Sequence, residues 1–359
     1  MTKAAELAKM GEVLDNSQIG GKNIVINGAM QVAQRSTSET GKGDADGYFT
    51  LDRFRMAHGA TSAGRYTMSQ SSVTDLEGFS NALKIDCTTA DTSIAAGEAL
   101  IIQQRLEGFN LQSLKASSTS TRGFTLSFYA KSNASRAIAS EITFSNGTNK
   151  QISKLHTIGT SWARYTMTVP AASSTQIDND NSHEGDLNFW IHAGSTYSGG
   201  TINDDALDSI TNANRAAGIG SIFASTDNEI EITGIQLEVG SQATPFEHRS
   251  FGEELTLCQR YFELLNGGIA MGASDSATNT QASVQYKVSK RAGATIAKSG
   301  TVYANDGATQ GTVSGVASSK DFTGGVLLQL TTSSIASDDC IFIYANNDAT
   351  AFIAFDAEL

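Results

Sequence analysis

Residues 124–131 read FTLSFYAK, and their apolar side chains occupy every second position. Because neighbouring side chains of a β-strand point to opposite faces of a sheet, this alternation predicts a strand with one buried face. The same period recurs in both directions along the chain, with Gly, Ser or Asp at the boundaries. The further strands that it predicts lie near residues 24–26, 49–54, 66–68, 83–85, 99–106, 138–144, 162–169, 187–192 and 230–239.

The segments between these strands indicate how the strands pair. Parallel strands need a crossover, usually a helix of ten or more residues, and no such helical pattern separates successive strands. Antiparallel pairing remains, and about ten strands joined by turns predict a β-sandwich over residues 23–250. The polar stretch 201–217 is expected to be a surface loop with one helical turn.

A short helix is predicted at the start of the chain. Leu7, Met10 and Leu14 form one apolar face at helical spacing. A helix this short is marginal alone, so we expect it to dock to its own copies or to another protein. Residues 1–22 are therefore assigned as an attachment or oligomerisation helix with a flexible joint.

The period breaks again after residue 250. Residues 251–265, FGEELTLCQRYFELL, carry apolar side chains at helical spacing, although a strand would also suit Tyr261 and Phe262. We interpret them as a connecting segment with helix favoured. Alternation returns in residues 266–359 and predicts a second, smaller β-sandwich domain, so the whole chain is expected to be all-β apart from two short helices.

Charge and composition exclude several classes of partner. The chain has 25 Lys and Arg against 37 Asp and Glu, a net charge of -12, so it lacks the basic surface that nucleic-acid binding requires. No apolar run approaches the roughly 20 residues that span a bilayer, so no membrane insertion is expected. Cys87, Cys258 and Cys340 are widely separated and odd in number, which favours reduced, structural thiols.

The acidic run DNDNSHEGD at 178–186 partly matches a calcium loop. Asp178, Asp180 and Ser182 alternate as the first, third and fifth ligands would. His183 then stands where such a loop needs Gly, and Phe189 stands where it needs a bidentate Glu, so an EF-hand is excluded. A solvated loop is the preferred interpretation, no metal ligand is assigned, and a structural calcium elsewhere stays an open question.

Catalytic and cofactor motifs do not stand out. The five histidines show no metal-ligand spacing, and neither a GxSxG elbow nor a complete phosphate loop occurs. Glycoside hydrolysis needs two carboxylates about 5 to 10 Å apart, which a sequence cannot position. We therefore predict a protein that is not an enzyme and that uses no cofactor.

One group of residues has the composition of a sugar site. Sugars stack on aromatic rings and accept flanking hydrogen bonds, and Trp190, His192 and Tyr197 lie close together beside a Gly-Ser loop. Alternation puts Trp190 and His192 on one face of a strand and Phe189 and Ile191 on the other, and either face could be the buried one. The loops at residues 305–309 and 346–350 are equally good contact points.

Three blocks of sequence carry a family resemblance: 23–35 (NIVINGAMQVAQR), 47–54 (GYFTLDRF) and 235–262 (IQLEVGSQATPFEHRSFGEELTLCQRYF). In sequence and order they resemble proteins encoded in phage tail-fibre regions, especially those of marine and cyanobacterial short-tailed phages. The resemblance implies a jelly roll of the carbohydrate-binding-module type, a small β domain after it, and a place in the virion tail after assembly in the host cytoplasm.

The resemblance also implies a function. We expect a tail-fibre protein that attaches to a host surface glycan or receptor, contacts other phage tail proteins, and forms a homotrimer whose copies raise the overall affinity. A structural or decoration protein of tail or capsid is the alternative. A polysaccharide-degrading tailspike is a further one, although the repeat of a β-helix is not found here.

Overall fold

The computed structural model describes Lys3 and residues 21–60, 62–336, 339–345 and 350–359. They divide into two compact units, the first ending at Ser250 and including Leu359, the second covering Phe251–Glu358. The predicted attachment residues Leu7, Met10 and Leu14 lie outside the described residues. No helix in the described part of the chain is long and apolar enough to cross a membrane.

Fifteen strands make up most of the first unit in the part of the chain that the structure describes. One short helix, α1 (Ser195–Ser198), and three 3-10 helices (Gly108–Leu114, Asn212–Asn214, Ile222–Ala224) interrupt them. The strands are β1 (Ser38–Lys42), β2 (Arg55–His58), β3 (Arg65–Ser72), β4 (Asn81–Thr89), β5 (Ala99–Glu107), β6 (Lys115–Ser117), β7 (Ser120–Thr121), β8 (Phe124–Ser132), β9 (Arg136–Phe144), β10 (Lys150–Ile158), β11 (Ala163–Val169), β12 (Ala172–Ser173), β13 (His183–Ala193), β14 (Asp208–Ser209) and β15 (Glu229–Val239).

Twelve of these strands form two six-stranded sheets. The first sheet has the order β1-β3-β4-β15-β8-β11, and the second has the order β14-β10-β9-β13-β5-β2. Neighbouring strands pair antiparallel throughout both sheets. The all-β class and the antiparallel jelly-roll sandwich are thus confirmed, and β6, β7 and β12 add a small third sheet.

The core lies between the two sheets. Strand β8 places Phe124 and Phe128 inward, and both side chains are fully buried. Their rings meet Phe144 and Phe189 of the opposite sheet edge to face, with centroids 6.1 Å and 4.9 Å apart. A fully buried Phe contributes about 1.5–3 kcal/mol relative to an exposed one, so the alternation noted in the sequence stabilises this face directly.

Residues of the blocks 23–35 and 235–262 meet inside the sandwich. Asn27 adopts the left-handed backbone conformation, with φ 62°, and its side chain bonds the backbone of Val32 and Asp52. Gly28 lies so close to β15 that a Cβ there would be 2.2 Å from the Ile235 carbonyl oxygen. Asn23 bonds Ile235 and Leu237 as well. Asn23, Asn27 and Gly28 therefore have framework roles.

The second unit begins with helix α2 (Phe251–Gln259), which agrees with the helix expected in the connecting segment. A turn at residues 260–261 ends the helix, and Phe262–Leu265 form a strand in which Phe262 is buried. The strands are β16 (Phe262–Leu265), β17 (Gly268–Ser276), β18 (Asn279–Gln285), β19 (Thr295–Ser299), β20 (Val302–Asn305), β21 (Gln310–Phe322), β22 (Gly325–Thr332), β23 (Cys340–Ala345) and β24 (Phe352–Asp356).

The second unit is a barrel where a second sandwich was expected. Strands β17-β18-β22-β21-β20-β23 close on themselves, and β16-β24-β19 form a separate three-stranded sheet. The long strand β21 is irregular between Val313 and Gly315 and again between Ser318 and Lys320. Bulges bend a strand and increase its twist, which lets β21 curve around an apolar interior that includes Leu328 and Ile343. Periodicity alone does not reveal such irregularities.

Candidate functional site

Trp190 lies on the outer face of the second sandwich sheet, yet it is only 1% exposed. Its indole Nε1 donates to Glu141 Oε2 over 2.9 Å, and the Arg215 guanidinium lies 4.8 Å from its ring centroid. Tyr197 of α1 is half-buried and packs against Trp190, with the two ring centroids 5.2 Å apart. The segment after α1, which includes the buried Ala216, covers this part of the sheet. Trp190 therefore offers no free face for a sugar to stack on.

His192 is buried as well. Its Nδ1 lies 2.8 Å from Ser221 Oγ and its Nε2 lies 3.2 Å from Glu98, while its ring packs against Phe223. Burial lowers the pKa of His192 and outweighs the opposing effect of Glu98. The structure thus places Tyr197 against Trp190, whereas His192 contacts Glu98, Ser221 and Phe223 instead. Because Trp190 and His192 are both buried, the predicted glycan site has no accessible surface at these two residues.

Glu141 is the centre of a buried polar network on the same sheet face. Its carboxylate is fully buried and accepts hydrogen bonds from Asn188, from Trp190 and twice from Arg215, all at 2.8–2.9 Å. Asn188 in turn accepts a bond from Gln103. Burial by itself would lower the pKa of Arg215, but the hydrogen bonds and the negative charge of Glu141 outweigh burial and raise that pKa. We interpret the network as structural, since it ties the covering segment to the sheet.

An open aromatic surface lies instead on the outside of the barrel. Met271, Tyr303, Phe342 and Tyr344, here called the barrel patch, come from β17, β20 and β23. Met271 and Phe342 are paired across the sheet and are 60% and 56% exposed. Tyr303 and Tyr344 stack with ring centroids 5.8 Å apart. Large apolar side chains clustered at a surface are typical of binding sites.

The barrel patch borders a surface groove of about 640 Å³. The described residues that line it are uncharged: Gly268, Ile269, Ala270, Met271, Asn305, Phe342, Ile343 and Tyr344. Gln310 lies beside it and donates through Nε2 to the Tyr344 hydroxyl over 2.7 Å. Aromatic faces and side-chain amides are thus presented together, which is the combination that binds the apolar face and the hydroxyls of a sugar.

One of the two predicted contact loops adjoins this groove. Residues 305–309 follow β20, and Asn305 lines the groove itself. Backbone hydrogen bonds from Thr309 and Ala308 hold the pKa of Asp306 below its ordinary value. Of the other loop, 346–350, only Thr350 belongs to the described residues.

Known proteins resemble this chain in part of their structure and not in sequence. No family model matches the chain, and no curated protein matches it. Three solved structures with partial likeness are a CBM4 protein (TM-score 0.30, 11% identity, covering 60% of this chain and 98% of that one), TmCBM61 in complex with β-1,4-galactotriose (0.30, 8%, 61% and 99%), and the CBM22-1 xylan-binding domain of Paenibacillus barcinonensis Xyn10C (0.29, 8%, 63% and 100%). Scores this low carry no argument about ligand or activity.

The barrel patch was missed at the level of sequence, although a signal for it exists. Ile341 and Ile343 of strand β23 are two residues apart, and strict alternation puts Phe342 on the face opposite these two isoleucines. Once Ile341 and Ile343 are taken as core, Phe342 must point outward. What alternation cannot tell is that Met271 and Tyr303 of other strands lie beside it.

Proposed function

We propose that the protein binds a glycan through the barrel patch. The observation that carries the proposal is the exposure of Phe342 within a cluster of aromatic side chains that borders a groove. Burying about 60 Å² of a ring face against a pyranose at about 25 cal/mol per Å² gives roughly 1.5 kcal/mol per ring. Several rings and the amides of Asn305 and Gln310 together would give a weak but specific site.

Binding without hydrolysis is the form of the proposal that the lining residues support. Among the described residues, the groove is lined by apolar and aromatic side chains, by the amide of Asn305 and by Gly268, and none of these lining residues carries a carboxylate. A glycosidase needs an acid and a base or nucleophile on either side of the scissile bond. We therefore assign the barrel patch a binding role and propose no catalytic residue.

The biological setting that we propose is attachment of a phage tail fibre to the host cell. Its support is the resemblance of residues 23–35, 47–54 and 235–262 to tail-fibre proteins. In this setting the chain is assembled in the host cytoplasm, joins other tail proteins in the virion, and acts as a homotrimer. Three copies of a weak site raise the effective affinity by orders of magnitude when they engage one surface.

The proposal is tested with fluorescently labelled full-length protein on a panel of bacterial cells, with and without periodate oxidation of surface glycans. Cell-selective binding that periodate abolishes supports glycan attachment. If an intact oligomer, verified by light scattering, binds no cell, the chain is better explained as a structural component of tail or capsid. Release of reducing sugar from capsule would instead indicate a tailspike.

A matched pair of variants locates the site. Phe342→Ala removes an exposed ring from the barrel patch, whereas Phe322→Ala removes a ring that is 66% exposed at the end of β21 and does not line the groove. We expect about tenfold weaker binding for Phe342→Ala, which corresponds to about 1.4 kcal/mol, and unchanged binding for Phe322→Ala.

A further inference from the structure

Three acidic side chains of the first unit converge at the start of β13. Asp178 and Asp180 lie in the loop before β13, and Glu184 is the second residue of that strand. One carboxylate oxygen from each lies within 4.8 Å of the others. Two oxygens bound to one calcium ion at 2.3–2.6 Å are at most about 5 Å apart, so the spacing fits a shared ion.

The buried member of the group supplies an independent observation. Glu184 is only 2% exposed, and its Oε2 has no hydrogen-bond partner. A buried carboxylate oxygen without a partner is costly, because desolvation is not repaid by any contact. Asp178 and Asp180 place two further carboxylates beside this buried one. A cation at this point would offset all of these costs.

The backbone around the three acids is held in place by several bonds. Gly108, which follows β5, packs so tightly that a Cβ there would lie 2.6 Å from the Asp178 carbonyl oxygen and 3.1 Å from Glu184 Cγ. The Asp180 carbonyl oxygen accepts from the Phe109 amide, and the Asp178 carbonyl oxygen accepts from Gln112 Nε2. The loop that carries the two aspartates is therefore positioned before any ion binds.

We infer that Asp178, Asp180 and Glu184 form a binding site for a hard divalent cation, with Ca²⁺ as the best fit. The ligands are all oxygen atoms, which favours Ca²⁺ or Mg²⁺ over softer metals. Ca²⁺ accepts irregular geometry from a loop, whereas Mg²⁺ demands a near-ideal octahedron at about 2.1 Å. The site is not an EF-hand, because Phe189 stands in the core where the twelfth-position ligand would be. Its role is to hold the loop before β13 in the position where it packs against the 3-10 helix Gly108–Leu114.

The test measures Ca²⁺ binding by calorimetry and thermal unfolding of the full-length protein with CaCl₂, MgCl₂ or EDTA. We expect one site per chain and a rise of the sandwich unfolding temperature on the order of 5 °C at saturating Ca²⁺, because a ligand that binds only the folded state stabilises it. Mg²⁺ should have a smaller effect. No heat of binding together with no change in unfolding temperature would overturn the proposal.

Three variants assign the ion to these residues. Asp178→Asn changes an exposed side chain and should weaken Ca²⁺ binding at least tenfold without disturbing the core. Glu184→Gln should do the same and raise the unfolding temperature in EDTA, since it removes a buried charge. Asp204→Asn, at an exposed acid in another loop, is the control and should bind as the unaltered protein does. Unchanged binding in Asp178→Asn and Glu184→Gln would place the ion elsewhere.

Discussion

Replacing Glu141 by Gln should destabilise the sandwich strongly, although Glu141 belongs to neither proposed binding site. Its carboxylate accepts four hydrogen bonds from three side chains and is fully buried. The Gln amide has nearly the same shape as the carboxylate, but its NH₂ group is a donor at a position where the carboxylate accepted hydrogen bonds. It therefore faces donors of Arg215, Trp190 and Asn188 that need an acceptor. The change thus isolates the charge and the hydrogen bonds from the packing.

The magnitude follows from the burial of the two charged partners. Removing one partner of a buried ion pair typically costs 3–5 kcal/mol, because the other charge is left uncompensated. The side chain of Arg215 is 18% exposed, so water relieves part of this cost and we expect about 3 kcal/mol. For a domain of this size that corresponds to a fall in the unfolding temperature of roughly 6–12 °C.

Urea unfolding followed by tryptophan fluorescence measures the effect, since Trp190 loses its hydrogen bond to Glu141 at the same time. Glu229→Gln is the control, because Glu229 pairs with Lys84 at the surface, where such a change costs at most about 1 kcal/mol. Equal midpoints for Glu141→Gln and the control would refute the structural role of the network.

Two further predictions concern buried titratable groups. Burial lowers the pKa of His156 from 6.5 to about 4. As the pH falls, the unfolded chain therefore binds this proton before the folded protein does. The free energy of unfolding, measured by urea titration, should decrease as the pH drops from about 6.5 to 4. His156→Gln should flatten that dependence, and a protein that gains stability over the same range would contradict the assignment. In the second unit, the fully buried Glu263 carboxylate lies 2.7 Å from Lys290 Nζ. Lys290→Met should lower the free energy of unfolding by about 3–5 kcal/mol in the same assay, because it leaves this carboxylate without its cation. The double change with Glu263→Leu should recover most of the loss, and no recovery would show that the pair itself is not what matters.

Much of the sandwich could be predicted because period-two alternation is a local property. The run at 124–131 is strand β8, and the antiparallel pairing followed from the absence of crossover helices. The barrel could not be predicted in this way. Whether a sheet closes depends on bulges such as those in β21 and on strand order, which are set by contacts between distant residues.

At the candidate sites, too, local alternation was informative and contacts between distant residues could not be predicted. Alternation correctly separated Trp190 from Phe189, and Phe189 is the one that enters the core between the sheets. It could not show that the segment carrying Arg215 and Ala216 folds back over Trp190 and buries it. Alternation likewise puts Phe342 opposite Ile341 and Ile343, and Phe342 is more than half exposed, but it could not show that Met271 and Tyr303 of other strands lie beside it.

The most direct test of the glycan-binding account is a titration of unaltered protein, Phe342→Ala and Phe322→Ala against the cells or the purified glycan that the unaltered protein binds. The account predicts about tenfold weaker binding for Phe342→Ala alone, with all three proteins unfolding at the same temperature. Equal binding by Phe342→Ala and the unaltered protein would contradict the assignment of the barrel patch as the glycan site.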